Sequence, residues 1–373
     1  MGQLIGKIVL TGGPCAGKTT ALTKIEEELT ERGYRVIIVS ESATELIKAG
    51  IRPFGEKAFD FLNFQRLILE YQLSKEEVYE KAIRMVDEEE KCVIVYDRGI
   101  MDNKAYVPKE FHSLVEEKGL HELDLLDNYD MVLHLVTAAD GCPEFYTLEN
   151  NQARSESIEE AIELDKKTQS AWLGHNRLVV IDNSTTFDEK LKRVMDNIYQ
   201  LVHDPYSIRY QKKYLVDLNQ SEFDLSSSIA SIEIEQTYLE EDREDYERRL
   251  RKRTFGLEQT YYITVQKKAP DGLSKIVTDK KITEKEYLRL LEMSSTIDTV
   301  KKTRHTFIHN KQYMKLDVFE DEAFGILEVN PIDAEEKIVL PEYLRIEKEV
   351  TNDHDFDNII IAKRKNKIKV KKD

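Results

Sequence analysis

The first half of the chain takes its fold from the stretch KIVLTGGPCAGKTT, residues 7–20. A short β-branched run ends in G-x-x-x-x-G-K-T and a helical pattern follows, which is the context expected of a phosphate-binding loop. Gly12 and Gly17 permit backbone angles that other residues rarely adopt, so successive N–H groups can turn inward around a phosphate. The N-terminus of the following helix adds a partial positive charge. The stretch therefore predicts a nucleoside triphosphate site.

Each side chain of this loop has a defined role in such a site. Lys18 would reach the β- and γ-phosphates and the Thr19 hydroxyl would bind Mg²⁺, while Thr20 would bond the α-phosphate. The chain lacks the guanine-reading Asn-Lys-x-Asp pattern, which leaves the choice between ATP and GTP open. The predicted nucleotide-binding residues are Gly12, Gly13, Pro14, Cys15, Ala16, Gly17, Lys18, Thr19, Thr20 and Arg98.

Three further polar residues are candidates for the chemistry. Asp97 ends an apolar run, which is the Walker B pattern in which the carboxylate holds Mg²⁺ directly or through water. Glu41 follows another strand pattern; it would orient an attacking hydroxyl or water, complete the metal shell, or lie exposed beside a helix cap. Arg154 is predicted as a lid residue over the transferring phosphoryl group, unless it is a solvated residue of a capping segment. The predicted catalytic residues are Lys18, Glu41, Asp97 and Arg154.

The region around these motifs alternates between short β-branched runs and long helical patterns. Such alternation is typical of βαβ units, and continuous apolar strands indicate a parallel sheet covered by helices on both faces. The strand patterns cover 7–10, 35–39, 93–96, 131–136 and 178–181, and the helical patterns cover 18–32, 64–90, 157–172 and 187–202. Residues 1–203 are therefore predicted to form an α/β P-loop NTPase domain.

After Val202 the pattern changes to alternation with a period of two, which predicts a mostly antiparallel second domain. Strand patterns cover 232–239, 246–253, 260–267, 303–309, 313–319 and 325–329, and helical patterns cover 283–293 and 341–346. The polar segment 204–228 is predicted as a connection that could include one strand or short helix. The second domain is predicted at 229–363, followed by a basic tail at 364–373.

The second domain carries charged residues at alternate positions of several strands. Residues two apart on a strand point to the same face, and inward charges of both signs make sense when they line a wet tunnel. The alternative is a set of outward, solvated faces with apolar alternates inside. The predicted metal ligands are Thr19 and Asp97 in the first domain and Glu233, Glu235 and Glu328 in the second. The predicted phosphate-binding residues of the tunnel are Arg249, Arg251, Arg253, Lys267, Arg304 and Lys315.

The first domain resembles the P-loop kinase-like ATPases grouped with the nicotinamide-riboside-kinase domain. The resemblance rests on the loop, on Glu41, on Asp97-Arg98-Gly99 with Asp102, and on Arg154 in Arg-Ser-Glu-Ser. It implies an ATPase or kinase-like activity with Mg²⁺ and leaves the phosphoryl acceptor unspecified.

The second domain resembles the CYTH, or triphosphate tunnel, family, whose fold is an α+β antiparallel β-barrel. The resemblance starts at Glu233-Ile234-Glu235 and continues through the later strands in the same order. It implies binding of a phosphorylated or polyphosphate ligand with Mg²⁺ or Mn²⁺. Thr237 replaces the signature lysine of that family and Asn330 stands where a second glutamate is common, so binding without efficient cleavage is one expectation.

The order of the two domains resembles the TRPL-translocation-defect-14 type proteins and their microbial relatives. That resemblance implies nucleotide binding together with recognition of an anionic phospholipid headgroup or a phosphate. A basic tail, in which seven of residues 363–373 are Lys or Arg, would favour contact with an anionic membrane surface. The alternative is a solvated tail that follows the last element.

Composition limits the remaining classes of function. With 55 Lys and Arg against 71 Asp and Glu, the net charge of −16 argues against general nucleic-acid binding. Three cysteines without a C-x-x-C pair make a disulfide framework improbable and fit a cytoplasmic location. Three readings stay open: a Mg²⁺-dependent P-loop phosphotransferase or hydrolase, a nucleotide-regulated binding protein, and a tunnel-type triphosphatase.

Overall fold

A computed structural model describes eight stretches of the 373-residue chain. They are 2–146, 157–202, 210–222, 229–239, 246–268, 275–294, 297–331 and 336–369, without the side chains of 246, 266–268, 275–278, 297 and 365–369. The chain divides into two compact units. One comprises the chain up to Tyr210 with the short segments Asn310–Tyr313 and Ile332–Glu336, and the other comprises Gln211–His309, Met314–Pro331 and the residues from Lys337.

The first unit contains a five-stranded parallel sheet in the order β2-β3-β1-β4-β5. Its strands are β1 Gln3–Gly12, β2 Arg35–Val39, β3 Lys91–Asp97, β4 Met131–Leu135 and β5 Leu178–Ile181. Its helices are α1 Lys18–Glu31, α2 Ser42–Lys48, α3 Phe61–Ile83, α4 Phe111–Glu116, α5 Glu122–Leu126, α6 Ile158–Ala171 and α7 Phe187–Leu201. The predicted α/β class with a parallel sheet is confirmed for this unit.

The central strands of this unit are apolar on both faces because neither face of the sheet meets water. Val9, Leu10 and Ile94 are fully buried, and one core cluster joins strand residues to α1 and α7. Parallel strands all end at the same edge of a sheet, and β1, β2 and β3 end beside one another there. That edge receives Gly12 and Asp97 directly, and Glu41 two residues after β2.

The second unit contains a nine-stranded sheet in the order β10-β9-β8-β7-β11-β12-β13-β6-β14. Every register that the structure describes in it is antiparallel. The described pairings end at β10 and β14, so closure into a barrel stays a prediction. The strands are β6 Lys212–Asp217, β7 Ala230–Leu239, β8 Tyr246–Phe255, β9 Glu258–Lys268, β10 Lys275–Ile282, β11 Ile297–His309, β12 Gln312–Phe319, β13 Phe324–Val329 and β14 Arg345–Glu349, and the helices are α8 Glu284–Glu292 and α9 Asn358–Lys369.

Three elements of this unit differ from the sequence-based expectation. The predicted helix at 341–346 is wrong: β14 begins at Arg345 and pairs with β6, and backbone bonds along that edge override the local helical pattern. Strand β10 was not predicted. Helix α9 begins at Asn358 and continues into the predicted basic tail, whose side chains beyond Arg364 lie outside the described residues.

Membrane contact through that tail therefore stays a prediction. In the part of the chain that the structure describes, no helix has both the length and the apolar character needed to cross a bilayer.

Candidate functional site

The loop after β1 has the backbone geometry of a phosphate cradle. Gly12 has φ +144° and Gly17 has φ +89°, and Cys15 between them is left-handed at φ +54°. A Cβ on Gly12 would lie 2.1 Å from the Leu135 carbonyl oxygen, and one on Gly17 would lie 2.6 Å from Phe187 Cε2. Gly12 therefore requires glycine for space as well as for backbone angle, whereas Gly17 requires it mainly for the backbone angle, because the nearby Phe187 ring is half exposed and can shift.

Lys18, the first residue of α1, folds back over this loop. Its Nζ donates to the carbonyl oxygens of Gly12 at 3.1 Å and Gly13 at 3.2 Å. Burial, with a smaller contribution from Arg98, lowers the pKa of Lys18 to about 8. Thr19 and Thr20 are exposed at the start of the helix. The ammonium group is thus held over the loop at the place where phosphates are expected.

Asp97 ends β3 opposite Leu10 of β1, beside the start of the loop. Its Oδ1 atom is buried and has no hydrogen-bond partner among the described residues. Burial raises the pKa of Asp97, and the positive charge of Lys18 opposes that rise. An acceptor left without a partner in a buried position costs free energy unless a ligand satisfies it. A buried carboxylate oxygen without a partner fits a Mg²⁺ ligand, and the Thr19 hydroxyl as its second ligand stays a prediction.

Arg98 connects Asp97 to the predicted residue Glu41. Its backbone is left-handed at φ +68°, and its N–H donates to the Leu10 carbonyl oxygen at 3.0 Å. Its Nε donates to Glu41 Oε1 at 2.6 Å, and the Thr44 hydroxyl donates to the other Glu41 oxygen at 2.6 Å. Burial alone would raise the pKa of Glu41, but Arg98 and Lys18 outweigh it and hold that pKa at about 2.

A buried aspartate supports these residues from behind. Asp102 accepts from the Thr11 hydroxyl at 2.8 Å and from Trp172 Nε1 at 2.7 Å. It also accepts from the Gly99 N–H at 3.3 Å, and its Oδ2 lies 3.9 Å from Arg98 Nη1. A Cβ on Gly99 would lie 2.7 Å from the Trp172 ring, so the turn after β3 packs directly on that ring. This arrangement fixes the turn that carries Arg98.

The structure brings together most of the residues predicted for the first site. Lys18, Glu41, Asp97 and Arg98 influence one another electrostatically, whereas Arg154 lies outside the described residues. Sequence reasoning missed Asp165 and Lys190, which contact the loop from behind. The sequence does carry a signal for both residues: each is a charged residue at a buried position of an amphipathic helix.

The charged residues of the second unit lie on two faces of its sheet. Directly paired residues share a face, and Arg249, Arg251 and Arg253 pair with Tyr238, Gln236 and Ile234. Glu233 and Glu235 alternate with those β7 residues and therefore lie on the opposite face. The prediction that all of these side chains line one tunnel is wrong for the described structure, because the register separates the two glutamates from the arginines.

The face that carries the three arginines, called here the arginine face, also carries a buried ion-pair network. Asp317 accepts from Lys302 at 2.5 Å and from Arg304 at 2.7 Å, and Lys315 Nζ lies 3.2 Å from a Glu328 oxygen. Burial opposes ionisation of Glu328, but Lys315 and Arg304 hold its pKa at about 2. Glu328 is therefore paired with cations in the structure rather than set apart for a metal.

A cavity of about 220 Å³ opens on the arginine face. Lys213, Arg249 and Arg304 line it with Asp317 and Glu328, and the residues where α9 begins complete its wall. Among the described residues, no group of three or more His, Cys, Asp or Glu side chains is arranged to hold a metal ion. The side chain of Lys267 lies outside the described residues, although its backbone belongs to β9.

Comparisons with known proteins give one matching family model and several similar solved structures. A family model described as an AAA domain matches residues 7–190. The chain is similar to the solved inorganic triphosphatase NE1496, with 21% identity over 42% of this chain and 94% of that one and a TM-score of 0.32. It is also similar to the PH1819 protein of Pyrococcus horikoshii OT3, with 17% identity over 34% of this chain and 80% of that one and a TM-score of 0.25. No curated protein matches the chain.

Proposed function

We propose that the first unit binds ATP or GTP with Mg²⁺ and transfers the γ-phosphoryl group to a small hydroxyl acceptor or to water. The observation that carries this proposal is the meeting of three features at one sheet edge. These are a glycine-dependent loop, a lysine folded over it, and an aspartate oxygen that is buried without a partner. The match of residues 7–190 to an AAA domain supports nucleotide binding at that edge.

The residues of this site divide the work between charge and position. Lys18 would stabilise negative charge on the β- and γ-phosphates, and the loop N–H groups would bind the β-phosphate. Asp97 and Thr19 would hold Mg²⁺, which would neutralise charge on the phosphate oxygens. Arg98 would contact the phosphate or the acceptor from the turn after β3.

The sequence leaves three roles open for Glu41: orienting the nucleophile, completing the metal shell, or lying exposed beside a helix cap. Both of its oxygens already accept hydrogen bonds, one from Arg98 and one from Thr44. A carboxylate engaged in this way, with a pKa of about 2, is a weak proton acceptor at neutral pH. Glu41 therefore acts by orienting Arg98.

Phosphate release followed by ³¹P NMR tests this proposal. The purified full chain would be incubated with Mg²⁺ and with ATP, GTP or tripolyphosphate, alone and with candidate hydroxyl acceptors. Lys18→Ala should abolish turnover of the nucleotides, whereas Lys24→Ala, which removes a surface lysine from the same helix, should leave turnover unchanged. Nucleotide that binds tightly but does not turn over with any acceptor would favour a nucleotide-regulated binding protein instead.

We propose in addition that the arginine face binds a phosphate-bearing ligand such as a polyphosphate or a phosphorylated small molecule. The supporting observation is the buried Arg249 Nε, which has no hydrogen-bond partner among the described residues and belongs to a side chain that lines the cavity. Recognition of an anionic lipid headgroup is the same chemistry presented at a membrane.

Glu233 and Glu235 lie on the face opposite the arginines, which makes a metal-dependent triphosphatase the less favoured function for the second unit. One result would favour a tunnel-type triphosphatase after all. Tripolyphosphate would have to be turned over, and this turnover would have to be abolished by Glu233→Gln/Glu235→Gln but unaffected by Lys18→Ala. Binding of ³²P-labelled tripolyphosphate would be measured in the presence of EDTA. If the wild type binds and Arg249→Gln weakens the binding, the arginine face recognises the anion without a metal.

A further inference from the structure

Five consecutive carbonyl groups of the phosphate loop, those of residues 12–16, accept hydrogen bonds. Lys18 holds the oxygens of Gly12 and Gly13. The next three are held from outside the loop: Pro14 by the Thr137 hydroxyl at 2.5 Å, Cys15 by the Ala138 N–H at 3.4 Å, and Ala16 by Lys190 Nζ at 3.2 Å. A peptide group whose carbonyl is held on one side directs its N–H to the other side, which here applies to the N–H groups of residues 15–17, because Pro14 has no N–H and the Gly13 N–H donates to Asp165. The loop is thereby shaped to present N–H groups to an anion.

Of the three donors that reach the loop from outside it, Lys190 is the charged one. It lies on α7, and only 3% of its surface is exposed. Its ammonium group makes three hydrogen bonds: to Ala16 O, to Val136 O at 2.8 Å and to Asn183 Oδ1 at 2.7 Å. Burying a lysine is costly, and none of these three acceptors is a carboxylate that would neutralise it. Burial lowers the pKa of Lys190 to about 8, so at neutral pH most Lys190 side chains carry a positive charge beside the loop.

Among the described residues, no carboxylate forms a direct ion pair with Lys190. Asp165 and Asp182 favour its charged form through space, while Arg193 opposes it. Asp182 is engaged by Arg193 at 2.9 Å, and Asp165 is engaged by the Gly13 N–H at 2.7 Å and by His134 at 3.1 Å. The charge of Lys190 is thus left to act on the loop and on whatever the loop binds.

We propose that Lys190 is a positioning residue of the nucleotide site, which holds the loop in its anion-binding shape and places a second positive charge behind the bound phosphates. This inference rests on the proposed function, because it assigns Lys190 to the same phosphate site. The ligand class is a nucleoside di- or triphosphate, recognised through its phosphate chain.

The test compares two substitutions on one helix. Lys190→Met removes the charge and the bonds to the loop but keeps an apolar stem of similar length. Arg193→Met is the matched control, because Arg193 is also a partly buried cation of α7 but bonds to Asp182 and Thr185 instead of the loop. Dissociation constants would be measured with N-methylanthraniloyl ATP and GTP in the presence of Mg²⁺, and thermal unfolding would be recorded for each variant.

Lys190→Met should raise the dissociation constant by about tenfold, and Arg193→Met should change it less than about twofold at a similar loss of thermal stability. Inorganic tripolyphosphate, used as a competitor, should lose affinity for Lys190→Met by the same factor, because the effect acts on the phosphates. A folded Lys190→Met protein with wild-type affinity would overturn the inference. An equal loss of affinity in Arg193→Met would also overturn it, because the effect would then be general destabilisation.

A second variant and the affinity of the wild-type protein separate the remaining outcomes. If Lys190→Met does not fold, Lys190→Gln, which keeps a donor at this position, is judged by the same criteria. Wild-type protein that binds neither nucleotide would refute the proposed function itself. If the wild-type protein binds nucleotide and Lys190→Met binds it with the same affinity, only the role of Lys190 is refuted.

Discussion

Replacing Glu41 with glutamine should destabilise the first unit in a way that depends on pH. The carboxylate accepts from Arg98 Nε at 2.6 Å, and 13% of the Arg98 side chain and 28% of the Glu41 side chain are exposed. Glutamine keeps the size of the side chain but removes its negative charge. The buried guanidinium would then lose its direct ionic partner, with Asp102 remaining at 3.9 Å.

The magnitude follows from the pKa of Glu41, which is about 2 in the folded protein against an ordinary value of 4.5. At about 1.4 kcal/mol for each tenfold change in proton affinity, the charged carboxylate contributes about 3 kcal/mol to the free energy of unfolding. A lowered pKa means that this contribution is fully present above about pH 4.5 and is lost as the pH falls toward 2. Glu41→Gln should therefore cost about 3 kcal/mol at pH 7 and less than half of that at pH 3.

Urea unfolding followed by tryptophan fluorescence measures this directly. Trp172 is the only tryptophan of the chain and is fully buried in the first unit, so its emission reports that unit. The control is Glu90→Gln, which breaks an exposed pair with Arg35 and should leave the free energy of unfolding nearly unchanged. A Glu41→Gln protein as stable as the wild type at pH 7, or equally destabilised at pH 7 and pH 3, would refute this reasoning.

Three other outcomes are expected. Gly12→Ala should abolish detectable binding of ATP and GTP in a fluorescence titration, because its Cβ would lie 2.1 Å from a backbone oxygen that cannot move aside cheaply; retained binding would contradict the loop geometry. Asp317→Asn should destabilise the second unit by about 3–5 kcal/mol in urea unfolding followed by circular dichroism, since Lys302 and Arg304 would lose their shared carboxylate; a loss below about 1 kcal/mol would show that the network is dispensable. Nucleotide affinity should fall as the pH rises above about 8, where free Lys18 loses its proton, and Lys18→Arg should weaken this dependence in calorimetric titrations, with Lys190, whose pKa is also about 8, accounting for the remainder; a flat profile in the wild type would assign the affinity to other groups.

The sequence by itself determined the first site to a large extent. The spacing of Gly12, Gly17 and Lys18 after an apolar run fixes a local structure, and local structure is what short-range sequence patterns encode. The position of Asp97 at the end of another apolar run follows from the rule that parallel strands present their carboxyl ends at one edge. These inferences needed no knowledge of which elements are neighbours beyond the parallel sheet.

The role of Glu41 required the tertiary structure. Its place after β2 is local information, but its two hydrogen-bond partners are not, because Arg98 lies 57 positions further along the chain. Asp165 and Lys190 were missed for the same reason: their contacts with the loop span 152 and 174 positions. The chain passes through several elements between these partners, and no spacing rule extends across such distances.

The second unit shows most clearly what only the tertiary structure decided. The period of two on β7 and on β8 is visible in the sequence, and each strand was recognised from it. Whether Glu233 and Arg253 share a face depends on the register between the two strands, and a slip of one residue reverses the answer. That register comes from the pairing of whole strands and from the packing of their faces, so the sequence determined which residues alternate and the fold determined which of them meet.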